Sequence, residues 1–196
     1  MRALAAAVCL ALLAAPAGAQ TGAPATAAVA SNPEMLRMFA EDQKDRNGLT
    51  VDWAVVRPRD EQRRAATKKL LADGALHTAE DFKAAAFVFQ HGSEAADYLL
   101  AHSLAIVAVA KGDKSALFIT SASLDRYLQK VGQKQIYGTQ FLTPRAPDAT
   151  ITQEPYDRAL ISDALRSELH VPVTATQAME LKARESMRRA EAAKKP

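Results

Sequence analysis

The stretch TAEDFKAAAFVFQHGSEAADYLLAHSLAIVAVAKGDKSALFITSASLDRYLQK, Thr78 to Lys130, decides the fold. Thr78 stands where a helix N-cap is wanted, and Phe82, Ala85, Ala86 and Phe89 recur at helical spacing, which predicts a helix over about Ala79 to His91. Gly92-Ser93 predicts a tight turn into a second helix from Glu94 to Lys111. Gly112-Asp113 predicts a turn into a third that reaches about Lys130. Links this short leave no length for a return path, so consecutive helices must be antiparallel. Alanines such as Ala84 to Ala86, Ala101, Ala105 and Ala108 carry little bulk and let the helix backbones approach closely.

Working upstream, Ser31 or Asn32 is placed to cap a helix that holds Pro33 in its first turn, carries Met35, Leu36, Met38 and Phe39, and stops at Asn47-Gly48. Trp53, Val55 and Val56 read as a short anchor of undefined local structure, and Arg57-Pro58 as a break. Asp60 then reads as the cap of a basic helix that turns Leu70 and Leu71 inward and ends at Asp73-Gly74. Downstream, QKQIYGTQF, Gln133 to Phe141, alternates polar and bulky residues around Gly138, which predicts an extended segment or turn laid across the helices. A loop with three prolines runs from Thr143 to Pro155. Tyr156 to Glu168 reads as a helix stopped by Pro172, and Thr174 or Thr176 as the cap of a final charged helix, 174–196. There Glu180, Glu185 and Glu191 each precede a basic residue by four positions, Arg184, Arg189 and Lys195, the order that supports an exposed helix.

The leading residues have their own signature. Met1-Arg2 is a short positive region, Ala3 to Ala15 is apolar, and Ala17-Gly18-Ala19 is a small-residue cleavage site, the pattern of a secretory signal peptide over 1–19. Cleavage there implies a periplasmic or secreted protein. Cys9, the single cysteine, leaves with it, so the remaining chain forms no disulfide and offers no thiolate ligand. The apolar run is too short to span a bilayer, and no stable membrane anchor is expected. Residues 20–31, rich in Ala, Thr, Gly and Pro, read as a flexible lead-in, leaving 32–173 as one helical domain. Without Arg2 the net charge falls from +3 to +2. With no aromatic residues among the basic ones near the C-terminus, no nucleic-acid partner is expected.

Two resemblances sharpen this outline. LAIVAVAKGD, Leu104 to Asp113, resembles the helix and turn of a tetratricopeptide-type hairpin, although no second copy recurs at the period of about 34 that such arrays show. The expected fold is therefore all-α, antiparallel helical hairpins with tetratricopeptide-like packing and one extended segment near 133–141. EDQKDR (Glu41 to Arg46), FQHG (Phe89 to Gly92), DRYL (Asp125 to Leu128) and GQKQIYGTQF (Gly132 to Phe141) resemble an uncharacterised bacterial family, the domain of unknown function numbered 6624 and its relatives. The resemblance covers roughly Pro33 to Phe141. It implies a shared fold, leaves a shared site open and supplies no reaction.

Candidate site residues follow from helix geometry. His91 lies four residues after Phe87, and His102 four after Tyr98, so both project from largely apolar faces. At 1.5 Å per residue His102 stands about 15 Å up its helix from His91, which keeps the two apart. The expected arrangement is a polar layer in which Gln90 and His91 meet Tyr137, Thr139 and Gln140, while His102 meets Asp125 or Arg126. A buried histidine with a structural hydrogen-bond partner, a general base and a metal ligand are all open to His91. Neither an HxxxH nor a His-Glu-x-x-His run exists, so no metal is expected, and no cofactor either. Asp42 and Arg46, four apart, read as a surface ion pair. Ser93, Ser103, Ser121 and Ser123 lack a nucleophile elbow, and no glycine loop or dinucleotide fingerprint appears.

Two functions from different classes fit. The first is an exported module that binds a protein or peptide partner in the cell envelope on a helical face or beside 137–141, with the polar cluster fixing the extended segment. The second is a cell-envelope hydrolase with His91 as general base, Gln90, Thr139 and Gln140 positioning substrate, and Arg126 holding a negative charge.

Overall fold

The computed structural model describes residues 29–48, 51–143 and 149–193. The signal peptide expected at 1–19, most of the lead-in, the tip of the proline loop and Lys195 lie outside the described residues. Within them the chain is all-α. It runs α1 (Pro33–Arg46), α2 (Trp53–Ala72), α3 (Ala79–Gln90), α4 (Ala95–Ala110), α5 (Leu117–Lys130), α6 (Asp163–Glu168) and α7 (Thr174–Ala192), with a 3-10 turn at Lys114–Ala116.

Asp81 ties the first elements together. Thr78 Oγ1 accepts from the Asp81 amide, and the Asp81 carboxylate accepts from the Thr78 and His77 amides at 2.9 Å, a capping box. Its other oxygen accepts from the Asn32 amide at 2.7 Å, while the Asn32 side chain caps α1 through Glu34 and Met35. One carboxylate thus fixes the start of α3 against the start of α1. Burial by itself would raise its pKa, but the Thr78, His77 and Asn32 bonds outweigh that and hold Asp81 below the ordinary carboxylate range. At the end of the lead-in, the Ser31 hydroxyl donates to Glu80 at 2.8 Å.

Helix α3 is the hub, packing on α1, α2, α4 and α5. Four neighbours leave it almost no solvent face, so Ala84, Ala85, Ala86, Val88 and Phe89 are all buried, more than the single stripe expected. Met35 and Met38 from α1, Ala101, Leu104, Ala105 and Ala108 from α4, and Ile119 from α5 close the core around it. The alanines explain the arrangement: small side chains on several faces let one helix serve several neighbours.

Helix α2 departs from expectation. Arg57-Pro58 does not break the chain, and Asp60 caps nothing. The helix begins eight residues earlier, with the Asp52 side chain accepting from the Ala54 amide at 3.0 Å, and Pro58 sits inside it. Proline removes the bond to the Ala54 carbonyl, yet both residues are exposed, on the solvent side of the helix. The far end is as expected: Gly74 at φ 64° lets its own amide reach Leu71 and the Ala75 amide reach Leu70.

Between α5 and α6 the described chain is irregular, pinned by two isolated bridges. Gln135 bridges Tyr156 in parallel and Leu142 bridges Thr152 in antiparallel fashion. The helix expected over Tyr156 to Glu168 is confined to Asp163–Glu168, because Tyr156 is held extended by that bridge and Ser162 is the cap. Neither Thr174 nor Thr176 caps α7. Val173 occupies that position, and Asp163 of α6 accepts from both the amide and the hydroxyl of Thr174, at 2.9 and 2.8 Å. Helix α7 then packs on the extended region, with Gln177 buried, Arg184 over the Phe141 ring and Glu185 accepting from the Ile151 amide. Of the three spaced pairs only Glu185–Arg189 forms among the described residues, at 2.8 Å. Bonds from Arg188, the Ile151 amide and Arg189 bring the Glu185 carboxyl down to about 2.

Candidate functional site

The expected polar layer does not form as one unit; the structure divides its members between two centres. The first is built on Asp125, fully buried on α5. One carboxylate oxygen accepts from the Ile136 and Tyr137 amides at 2.8 and 3.0 Å, and the other from the amide and hydroxyl of Thr139 at 2.9 and 2.7 Å. An ionised carboxylate has the acceptor capacity for four donors, so the bent segment is fastened by one side chain. Gln140 donates its side-chain amide to Ala122 O, and its backbone amide donates to Gln135 Oε1. Behind the segment, the Tyr137 carbonyl accepts from Arg166 and Gln177 at 2.6 and 2.7 Å. Burial, with the Asp125 charge, pushes the Tyr137 phenol up.

The second centre joins α1, α2 and the end of α3. His91 Nδ1 lies 2.9 Å from Asp42 Oδ1. Asp42 is fully buried and also accepts from Arg46 at 2.9 Å and Gln43 at 2.8 Å. Arg46 continues to Asp60 at 2.6 Å, Asp60 to Arg63 at 2.6 Å, and Arg63 to Asp45 at 2.9 Å. The pair expected on the surface is therefore part of a largely buried chain of alternating charges. Burial opposes the charge of Asp45, but the Arg63 and Arg59 bonds prevail and lower its pKa. His102 meets neither Asp125 nor Arg126; its Nδ1 faces the Thr120 carbonyl at 2.9 Å, so it fastens α4 to α5.

One face of the second centre is open. A cleft of about 480 Å³ lies between α2, the α3–α4 turn and α5, lined by Trp53, Arg57, Arg64, His91, Ser93 and Arg126 among others. Arg64 donates to the His91 carbonyl at 3.2 Å and stands 3.9 Å from Asp97. No described residue pairs with Arg57. Arg126 is mostly buried; its Nε has no partner, and no described carboxylate forms an ion pair with it. Burial pushes its pKa down from the ordinary arginine range, with the Tyr98 hydroxyl opposing and the Arg46 charge adding to the effect. The described residues bond His91 through Nδ1 and its carbonyl, leaving Nε2 without a partner.

Candidate residues thus separate by place. His91 and Arg126 share this cleft, whereas Asp125, Tyr137 and Thr139 belong to the segment's own bonding. Gln90 is buried with Oε1 unpaired. Gln140 lines a smaller cleft with Tyr98, Gln129 and the other side of Arg126. The sequence reading did not place Trp53, Arg57, Asp60 or Arg64 in a site. Their spacing, i, i+4, i+7 and i+11, puts them on one helical face, a signal hidden by reading Pro58 as a break. Among the described residues, no group of three or more His, Cys, Asp or Glu side chains is placed to hold a metal ion. No described helix is long and apolar enough to cross a membrane.

No protein-family model, curated protein or solved structure matches this chain.

Proposed function

We propose that the protein is a binding module that takes an acidic group of a protein or peptide partner into the cleft beside Arg126. The observation that carries this reading is the mostly buried Arg126 guanidinium, which has no ion-pair partner among the described residues. Holding a cation out of water without a counter-charge destabilises the fold, and a bound anion would offset that penalty. Arg57 and Arg64 add positive charge, and half-exposed Trp53 supplies an apolar platform beside them. The export signal read in 1–19 puts the partner in the cell envelope, and the resemblance over Pro33 to Phe141 belongs to the same proposal without adding chemistry to it.

A second reading rests on Asp42 and His91. A carboxylate holding Nδ1 of an imidazole whose Nε2 is unpartnered beside a cleft is the arrangement a general base uses. As a hydrolase the protein would use His91 to take a proton from water, with Arg126 facing the substrate's charge; Thr139 and Gln140 have no part, being tied to the Asp125 centre.

Trp53 is the only tryptophan of the chain and lines the cleft, so it reports occupancy directly. Titrating the protein with a glutamate-rich peptide should change its fluorescence saturably, less so at high salt. Arg126→Met should abolish the change while circular dichroism stays the same. A Trp53 signal indifferent to the peptide would overturn the binding reading. A hydrolytic activity lost in His91→Asn would establish the second.

A further inference from the structure

We infer that the open face of α4 is the seam of a homodimer, in which two copies of this chain pack antiparallel about a twofold axis at Ser103. The homodimer does not depend on what the cleft beside Arg126 takes. From Tyr98 to Ala110 the helix carries no Asp, Glu, Lys or Arg. A helix that is apolar all round is normally covered on every side. Helix α4 packs on α3 and α5 and buries Ala101, Leu104, Ala105 and Ala108, but its far side stays open. Ala96, Leu99, Ser103, Ile106 and Ala110 are exposed there, Leu99 at 43% and Ile106 at 48%. Their intervals of three, four, three and four residues draw one narrow line along the helix, the a/d pattern of a coiled-coil seam over two heptads.

The order of residue sizes along this line fits a second copy of itself. Ala96, Ser103 and Ala110 are small, and Leu99 and Ile106 between them are large. Turned end for end about Ser103, Ala96 of one copy stands level with Ala110 of the other, Leu99 and Ile106 interleave, and Ser103 faces Ser103. The small residues let the two helix axes approach closely. Ser103 brings no loose donor into the seam, because its hydroxyl donates to the Leu99 carbonyl at 2.9 Å. Charge favours the same direction. Exposed Glu94 stands at the start of α4, and exposed Lys111 and Lys114 follow its end, where Asp113 is already paired with Lys83 at 2.7 Å. Antiparallel copies set each acidic end beside a basic one and oppose the two helix dipoles, whereas parallel copies would set like charges together. The seam is about 21 Å long and one helix wide, well short of the roughly 800 Å² a side of a standard interface. The dimer is therefore weak, with a Kd on the order of 100 μM.

Sedimentation equilibrium of the full chain from about 5 μM to about 1 mM should show a reversible monomer–dimer equilibrium. Ile106→Lys and Leu99→Lys should each abolish it with circular dichroism unchanged, since both positions are exposed. A short bis-maleimide cross-linker, applied in a Cys9→Ser background, reads the direction. Ser103→Cys should couple to itself. Ala96→Cys and Ala110→Cys should each fail alone, their copies being about 21 Å apart, and couple when mixed. A chain that stays monomeric to about 1 mM overturns the inference and leaves the face to a different protein. A dimer that survives Ile106→Lys overturns it by placing the contact elsewhere, and self-coupling of Ala96→Cys overturns it by making the copies parallel.

Discussion

His91 and Asp42, 49 residues apart in the chain, meet at 2.9 Å where the end of α3 crosses the last turns of α1. The contact places an imidazole on a carboxylate that already accepts from Arg46 and Gln43. Asp42→Ala should therefore leave Arg46 and His91 without their shared acceptor and cost about 3 to 5 kcal/mol. Urea denaturation checks this as a lower midpoint with an unchanged slope. A midpoint within error of the parent would mean that the network contributes nothing net.

Arg126 should behave in the opposite way. Arg126→Met removes a cation that is desolvated and has no ion-pair partner among the described residues, so the variant is expected to be more stable by about 1 kcal/mol, or about 2 to 4 °C in Tm, while losing the Trp53 response to acidic ligands. Calorimetry and the titration read the two effects separately. A destabilised variant would mean that packing of the side-chain stem outweighs the desolvation of its head.

Asp125→Ala should free the segment without melting the bundle. Three backbone amides and one hydroxyl lose their acceptor, at about 2 to 4 kcal/mol. Hydrogen exchange would show the Ile136, Tyr137 and Thr139 amides accelerated while those of α3 and α4 hold their protection. Uniform acceleration across the chain would contradict a local role.

Gly138 is a steric test. Its φ is 73°, and an added Cβ would lie 2.5 Å from both Gln177 Oε1 and the Tyr156 hydroxyl. Gly138→Ala should cost about 2 to 4 kcal/mol, against about 1 kcal/mol for Gly132→Ala, where φ is similar but nothing lies within 4 Å. Equal losses at the two sites would leave only the backbone term.

The sign of one pH effect follows from Asp81. Its pKa is lowered on folding, so its stabilisation is fully present above the unfolded value of 3.8 and is lost as pH falls through the folded value below that. Asp81→Asn should cost about 2 kcal/mol at pH 6. The gap from the parent should close as both are denatured at successively lower pH under 3.8, and a gap that stays constant to pH 2 would remove Asp81 from the acid response.

What the sequence determined by itself was local. Thr78, Gly92, Gly112 and the alanine-rich runs between them carry their own instructions within a turn or two, and short links between helices leave one way to fold back. The cap at Asn32 and the stop at Asp73-Gly74 were legible for the same reason. Where a local signal pointed the wrong way, the surroundings had the last word: Pro58 stays in α2 on an exposed face, where the orphaned Ala54 carbonyl is not sealed in the core, and Tyr156 stays extended because Gln135 bridges it. The candidate site depended wholly on tertiary structure. Nothing near Asp42 in the chain announces His91, nothing near Asp125 announces the Thr139 hydroxyl, and Arg126 is recognisable as an unpaired cation only once the residues that fail to reach it are in place. Hydrogen bonds and charge compensation depend on distances of a few ångströms between segments that the chain separates by dozens of residues, and only the packing of α3 against its four neighbours sets them.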